Sequence, residues 1–170
     1  MVTTANDRQY VLDLLMDYLG VNRAVATGIL ANIIYESGCK SDIEEDITDY
    51  DEDYIESVGI PYKDTYLVGG YGLFQYTNSR RVDLYNYCEE NNLPLEDAES
   101  QIQFMCEELK EKFSWFLDED AQLPDSEETA DTVAYDWCLY WECPLDSSQA
   151  TERAFFARCL YTNGLDYGFI

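Results

Sequence analysis

"RAVATGILANIIYESG", residues 23–38, decides the fold. Val25, Ile29, Ile33 and Glu36 recur at i, i+4, i+8 and i+11, so they share one face of a helix. Leu30 and Ile34 make a second side apolar, and a helix that is apolar on more than one side belongs in the middle of a core. Asn22 is a good N-cap, and Gly38 is a natural stop. The run nevertheless ends on Glu36, where desolvation and the negative end of the helix dipole both favour a held proton. Such a carboxyl can deliver its proton to a leaving oxygen. A rim glutamate that only reaches water is the competing reading.

Outward from this helix, the chain reads as a string of further helices. One covers about 7–19, with Val11, Leu14, Leu15 and Leu19, and Gly20 closes it. Another follows Thr77 and carries Val82, Leu84 and Cys88 before "NNLP" breaks it. The spacing predicts two more over about 97–116 and from Ser126 to about Trp141, where Pro144 soon forbids continuation. The last is "SSQATERAFFARCLYTNG", residues 147–164, with a serine start and a glycine stop. No linker long enough to separate two domains interrupts them.

Residues 41–70 break the pattern. "SDIEEDITDYDEDYIESVGIPYKDTYLVGG" is acidic, tyrosine-rich and too irregular for one long helix, and it predicts a short β-hairpin or an ordered loop. Asp49, Asp51 and Asp53 alternate like the opening of an EF-hand loop. However, Tyr54 replaces the required glycine, and Ile60 stands where a bidentate glutamate is needed. The chain has no histidine, which argues against a typical zinc site and against Cys–His or Ser–His–Asp nucleophile systems. No cofactor and no metal are expected. Cys106, Cys138 and Cys159 fall in helical stripes, so the six cysteines read as small core fillers and not as a disulfide framework.

Immediately after the acidic segment comes "GGYGLFQYTNSRR", residues 69–81. Three glycines predict a tight backbone turn that displays Tyr71, Phe74 and Tyr76, while Gln75, Thr77 and Asn78 add neutral hydrogen-bonding groups. Aromatic faces beside amides and hydroxyls suit a neutral polyol such as a sugar. The phosphate-binding pattern GxxxxGK[ST] is absent. A purely structural turn that caps the next helix through Thr77 is the alternative.

The formal net charge is −25, from 35 acidic against 10 basic residues. This disfavours partners bound through their phosphates, so neither nucleic acid nor an anionic membrane surface is expected as one. The charge reads as solubility through self-repulsion, with mimicry of a nucleic acid as the alternative. No apolar stretch is long enough to cross a membrane. The opening MVTTANDRQY lacks a basic region followed by an apolar core, so no secretion signal is expected in this chain.

Taken in order, "GILANIIYESG" (28–38), "GYGLFQYTNSRR" (70–81) and "WCLYWECP" (137–144) resemble the phage tail lysozyme-type domain of the lysozyme-like superfamily. This group is related to goose-type lysozymes and lytic transglycosylases. The matched features are a helix ending in an ESG-like triplet, a GLxQWT-like turn leading into an arginine-bearing helix, and a late aromatic segment with Trp141, Glu142 and Pro144. Together they span about 7–163, with Tyr76 standing where tryptophan is usual. The resemblance implies a mainly α, lysozyme-like helical domain over 1–170, with a small acidic lobe at about 41–70. It also implies cleavage of the β-1,4 glycan bond of peptidoglycan, with Glu36 as catalytic acid and Tyr71, Gln75, Tyr76 and Thr77 at the sugar groove. The implied place of action is the cell wall, reached as part of a phage tail or a conjugation apparatus.

Glycosidases generally use a second carboxylate, about 5–5.5 Å from the first when retaining and about 6.5–9.5 Å when inverting. The acidic segment offers Glu44, Glu45, Asp46, Asp49, Asp51 and Asp53. Asp46 is the expected partner, because the chain should return to the cleft soon after Glu36. If none of them faces Glu36, a lytic transglycosylase assisted by the substrate's own N-acetyl group becomes the alternative. A glycan-binding virion protein without catalysis is another.

Overall fold

The computed structural model describes residues 5–46 and 51–168. Its central element is α2 (Arg23–Ser37). Asn22 caps it, the side-chain oxygen accepting from the Val25 N–H at 3.1 Å, and the Asn22 amide in turn donates to Leu123 O at 2.7 Å. Gly38 stops it in the left-handed conformation, with its N–H donating to Ile34 O at 3.0 Å. Ala24 to Ile33 are buried without interruption, so the helix is enclosed on all sides.

Three helices enclose it: α1 (Ala5–Leu19), α7 (Glu127–Asp136) and α8 (Ser148–Asn163). Small residues allow the closest approach. Ala24, Ala31, Ala130, Ala134 and Ala157 form one buried cluster with Leu160. A Cβ added at Gly28 would lie 2.7 Å from Val133 Cβ, so α2 and α7 sit nearly backbone to backbone there. The larger core lies on the other side of α2. It joins Val25, Ile29 and Ile33 to Leu73 and Phe74, to Ile102 and Met105 of α5 (Ala98–Lys112), and to Trp137 and Trp141.

The acidic segment contains α3 (Glu52–Val58) and a two-stranded antiparallel hairpin, β1 (Ile60–Tyr62) with β2 (Thr65–Leu67), in which Pro61 pairs with Tyr66. Asp49 lies outside the described residues. The segment is tied down by Arg81 of α4 (Asn78–Asn91), an almost fully buried arginine that pairs with Glu44 and donates to Val68 O at 2.7 Å. The helix expected over 97–116 divides in two, because Phe113 leaves helical geometry and α6 (Ser114–Asp118) starts afresh. The helix expected from Ser126 to Trp141 is also not uniform. After α7 it widens into a π-helical turn, Trp137–Glu142, which ends at Cys143 in the left-handed region. All six cysteines are free; Cys88, Cys106 and Cys138 are buried, and Cys143 is exposed. No helix is long and apolar enough to cross a membrane among the described residues.

Candidate active site

The ESG triplet and the glycine turn are built against each other. Ser37 Oγ lies within hydrogen-bond distance of Ile33 O, one turn back, and donates to Leu73 O at 2.9 Å, pinning the turn to the end of α2. Tyr71 and Tyr76 exchange two backbone hydrogen bonds of 3.0–3.1 Å that close the turn. Gly72 occupies φ +77°, and a Cβ there would meet the Gln101 side-chain oxygen at 2.3 Å. Fully buried Gln101 accepts from the Leu73 N–H at 2.8 Å and donates to Ser41 O and Leu95 O at 2.7 and 2.8 Å. One amide therefore holds the turn, the start of the acidic segment and the approach to α5 in fixed relation.

Between these parts lies a cleft of about 460 Å³. Glu36 enters it from the end of α2, and Glu45 from the acidic segment, where its carboxylate accepts from the Gly70 N–H at 3.2 Å. The turn contributes Phe74, Gln75 and Thr77, and α4 contributes Arg80. The far wall is Glu142, Pro144 and Leu145, followed by Gln149 and Arg153 of α8. Leu145 is fully exposed and forms an apolar lip. Thr77 stands at the N-cap of α4 without a side-chain capping bond, which leaves its hydroxyl to the cleft.

Arg153 is the least expected member. It is buried and donates to Glu36 at 2.6 Å, to Asn32 Oδ1 at 3.0 Å and to Gln149 Oε1 at 3.1 Å. Asn32 is held in its turn by Gly28 O and Ala134 O, each at 3.1 Å. The Glu36 carboxylate thus meets a fixed cation, a partner that the sequence reading, with its desolvated helix end and an acidic partner at Asp46, does not include.

Glu142 is the third carboxylate of the cleft, beside Glu36 and Glu45. It ends the π-helical turn and accepts from the Trp137 indole N–H at 3.1 Å. Trp137 itself stacks on Trp141, ring centres 4.7 Å apart. Burial and then the negative charge of Glu36 push the Glu142 carboxyl up to about 8, against the opposing pull of Arg80 and Arg153.

Of the site residues expected from sequence, Glu36, Gln75 and Thr77 come together in the cleft. Tyr71 and Tyr76 do not line it. Residues paired directly across a bridge project to the same face, and here that face is the core. Tyr76 packs against Phe74 and Phe104, while Tyr71 packs against Tyr85. Asp46 is exposed and off the cleft lining, and its neighbour Glu45 takes the position facing the site. Two further residues of the cleft, Arg153 and Glu142, are not among the site residues expected from sequence. Arg153 sits in the buried stripe Ala150, Arg153, Ala154, Ala157 and Leu160, and an arginine inside an apolar stripe calls for an acidic partner. Glu142 was visible in "WCLYWECP", but the second carboxylate was sought near Glu36 in sequence.

Among curated proteins, none matches the chain. The sequence model of the family described as phage tail lysozyme matches residues 6–163, from α1 to the end of α8, and so takes in every wall of the cleft. The mainly α fold agrees with that match, and the chain belongs to the phage tail lysozyme family, whose action is peptidoglycan-lytic.

Proposed function

We propose that this chain is a muramidase, hydrolysing the β-1,4 bond between N-acetylmuramic acid and N-acetylglucosamine in peptidoglycan. The observation that carries the reading is the pair Glu36 and Glu142, brought into one cleft from α2 and from the π-helical turn. Glycoside hydrolysis needs one carboxyl to protonate the leaving oxygen and one carboxylate to activate water or meet the developing positive charge. A lytic transglycosylase, assisted by the substrate's N-acetyl group, has less need of the second carboxylate. Its presence therefore favours water as the nucleophile. Gln75 and Thr77 offer an amide and a hydroxyl to sugar hydroxyls, while Phe74 and Leu145 offer apolar surface to the CH faces of the ring.

The proposed place of action is the cell wall, reached as part of a tail or conjugation assembly. A chain of charge −25 is repelled by anionic wall polymers, and a tether raises its local concentration. Mass spectrometry of digested peptidoglycan tests the reaction. Reducing N-acetylmuramic acid ends are expected; 1,6-anhydro ends would establish transglycosylation instead. Glu36→Gln should keep the fold and lose about 100-fold or more of the wall-cleaving rate. Unchanged cleavage by that variant would remove Glu36 from the reaction.

A further inference from the structure

We propose that a second cavity, of about 410 Å³ and walled by Trp115, Glu119, Asp120, Asp136 and Tyr140, binds a primary alkylammonium group such as a lysine side chain carries. It shares no lining residue with the cleft, so the inference stands apart from the muramidase reading. Local structure explains how these groups meet. The break at Phe113 lets α6 start afresh with Trp115 in its first turn, and the tight turn Asp120–Gln122 follows it. Asp136 is the last residue of α7, and Tyr140 lies on the π-helical turn beyond it.

Asp120 is the deciding residue. It is only 7% exposed, and its Oδ2 is buried with no hydrogen-bond partner. A carboxylate oxygen taken out of water without a partner is costly, and such a group calls for a cation. The charged groups that face it, Asp136 and Glu119, are both negative and cannot supply one. Among the described residues, no lysine or arginine forms an ion pair with any of the three. Burial, and then these two neighbours, push the Asp120 carboxyl up to about 6, as expected of a carboxylate that lacks its counter-charge.

The walls select the kind of cation. Trp115 and Tyr140 meet edge to face, ring centres 5.6 Å apart, and Tyr140 is 56% exposed. Aromatic faces beside carboxylates attract organic cations through the ring quadrupole. Among the described residues, no three acidic or thiol groups are placed to hold a metal ion, so the carboxylates border the space without converging on one point. A single unpaired oxygen suits the point charge of an ammonium better than the two-pronged guanidinium of arginine. The alkyl stem then lies against the rings, as long cationic side chains do on apolar surface. Such a group reaches the protein on a peptide of the wall or on a lysine of another protein, and the test separates the two.

The test follows the indole N–H signals of the three tryptophans by NMR while the full chain is titrated with Nα-acetyl-lysine amide at about pH 7.5, where Asp120 is ionised. The Trp115 signal, identified by its loss in Trp115→Phe, should move saturably with a midpoint of about 1–10 mM, the range open to so small a ligand. Nα-acetyl-norleucine amide, the same chain without the ammonium, should not move it. Asp120→Asn keeps the shape and removes the charge, and should weaken binding about tenfold or more. Tyr140→Ala alters an exposed ring and should weaken it about threefold or more; this arm stands even if Asp120→Asn fails to fold. The proposal is overturned if the lysine amide gives no saturable shift, if the norleucine amide shifts the signal equally, or if either folded variant binds as the wild type does. Calcium chloride or Nα-acetyl-arginine amide acting at a lower concentration would equally overturn the ammonium assignment. Soluble wall fragments that move the signal before acetylation of their amines, and not after it, place the ligand on a wall peptide. A shift from the lysine amide and none from the fragments assigns it to a lysine of another protein.

Discussion

Glu108 accepts two hydrogen bonds from Arg80, at 3.1 Å from Nε and 3.0 Å from Nη2. The carboxylate is almost completely buried, whereas Arg80 retains about a quarter of its side-chain exposure, 28%. The same guanidinium lies 4.4 Å from the centre of the Trp141 ring and 5.0 Å from that of Tyr76. A residue of α5 that never reaches the cleft therefore sets the orientation of the cation that lines it.

Replacing Glu108 by alanine leaves Arg80 partly buried against aromatic rings without its fork partner. Breaking such a pair from one side is strongly destabilising, and the expected loss is about 2–4 kcal/mol, moderated by the solvent Arg80 still sees. Denaturant unfolding should show the midpoint falling with an unchanged slope. A loss below about 0.5 kcal/mol would mean that the pair contributes no more than a surface ion pair.

Gly72→Ala tests the turn. Its φ of +77° is unfavourable for alanine, and the added carbon would collide with the Gln101 oxygen that holds the Leu73 N–H. The strained backbone alone costs about 1–3 kcal/mol, and displacing Gln101 adds to this. Thermal unfolding should record the loss, and wall cleavage should fall by more than the unfolded fraction explains, because Gln75 and Thr77 are carried on the same turn.

Glu142 makes stability depend on pH in a defined direction. Its carboxyl titrates near 8 in the folded protein against an ordinary 4.5, so the folded state binds this proton more tightly than the unfolded chain. The stabilisation is whole below about 4.5 and is lost as the pH rises through 8. Glu142→Gln should therefore match the wild type at about pH 4 and exceed it at about pH 9, by on the order of 2–4 kcal/mol. Asp120, pushed up to about 6 by burial and the neighbouring Asp136 and Glu119, produces a separate loss at lower pH. Both proteins carry Asp120, so that loss cancels in the difference between them. Parallel melting curves for the two proteins across this range would count against the elevated carboxyl.

The parts of the site that obey local rules were legible in the sequence. Asn22 and Gly38 bound α2 because capping is decided by the residues at a helix end, and the glycine turn announced itself through positions that other residues adopt at a cost. The inward facing of Tyr71 and Tyr76 was not legible, because an aromatic residue beside a glycine carries no mark of which side its strand buries. That Glu142 faces the cleft was not legible, for a different reason. Helical periodicity counts 3.6 residues per turn, and the turn from Trp137 to Glu142 does not follow it. Arg153 was within reach, since its stripe-mates are all apolar or small, but its partner lies 117 positions away in the chain.

The π-helical turn also has a meaning for descent. It closes with the Cys143 N–H donating to Cys138 O, five residues back, at 3.1 Å, so the loop it encloses is one residue wider than an α turn. Such a bulge is what a single inserted codon leaves in an α-helix. Removing one residue between Trp137 and Trp141 would rewind the segment and swing Glu142 about 100° around the helix axis, out of the cleft and away from Glu36. A chain with one residue fewer in this turn would have to find its second carboxylate elsewhere or rely on the N-acetyl group of its substrate.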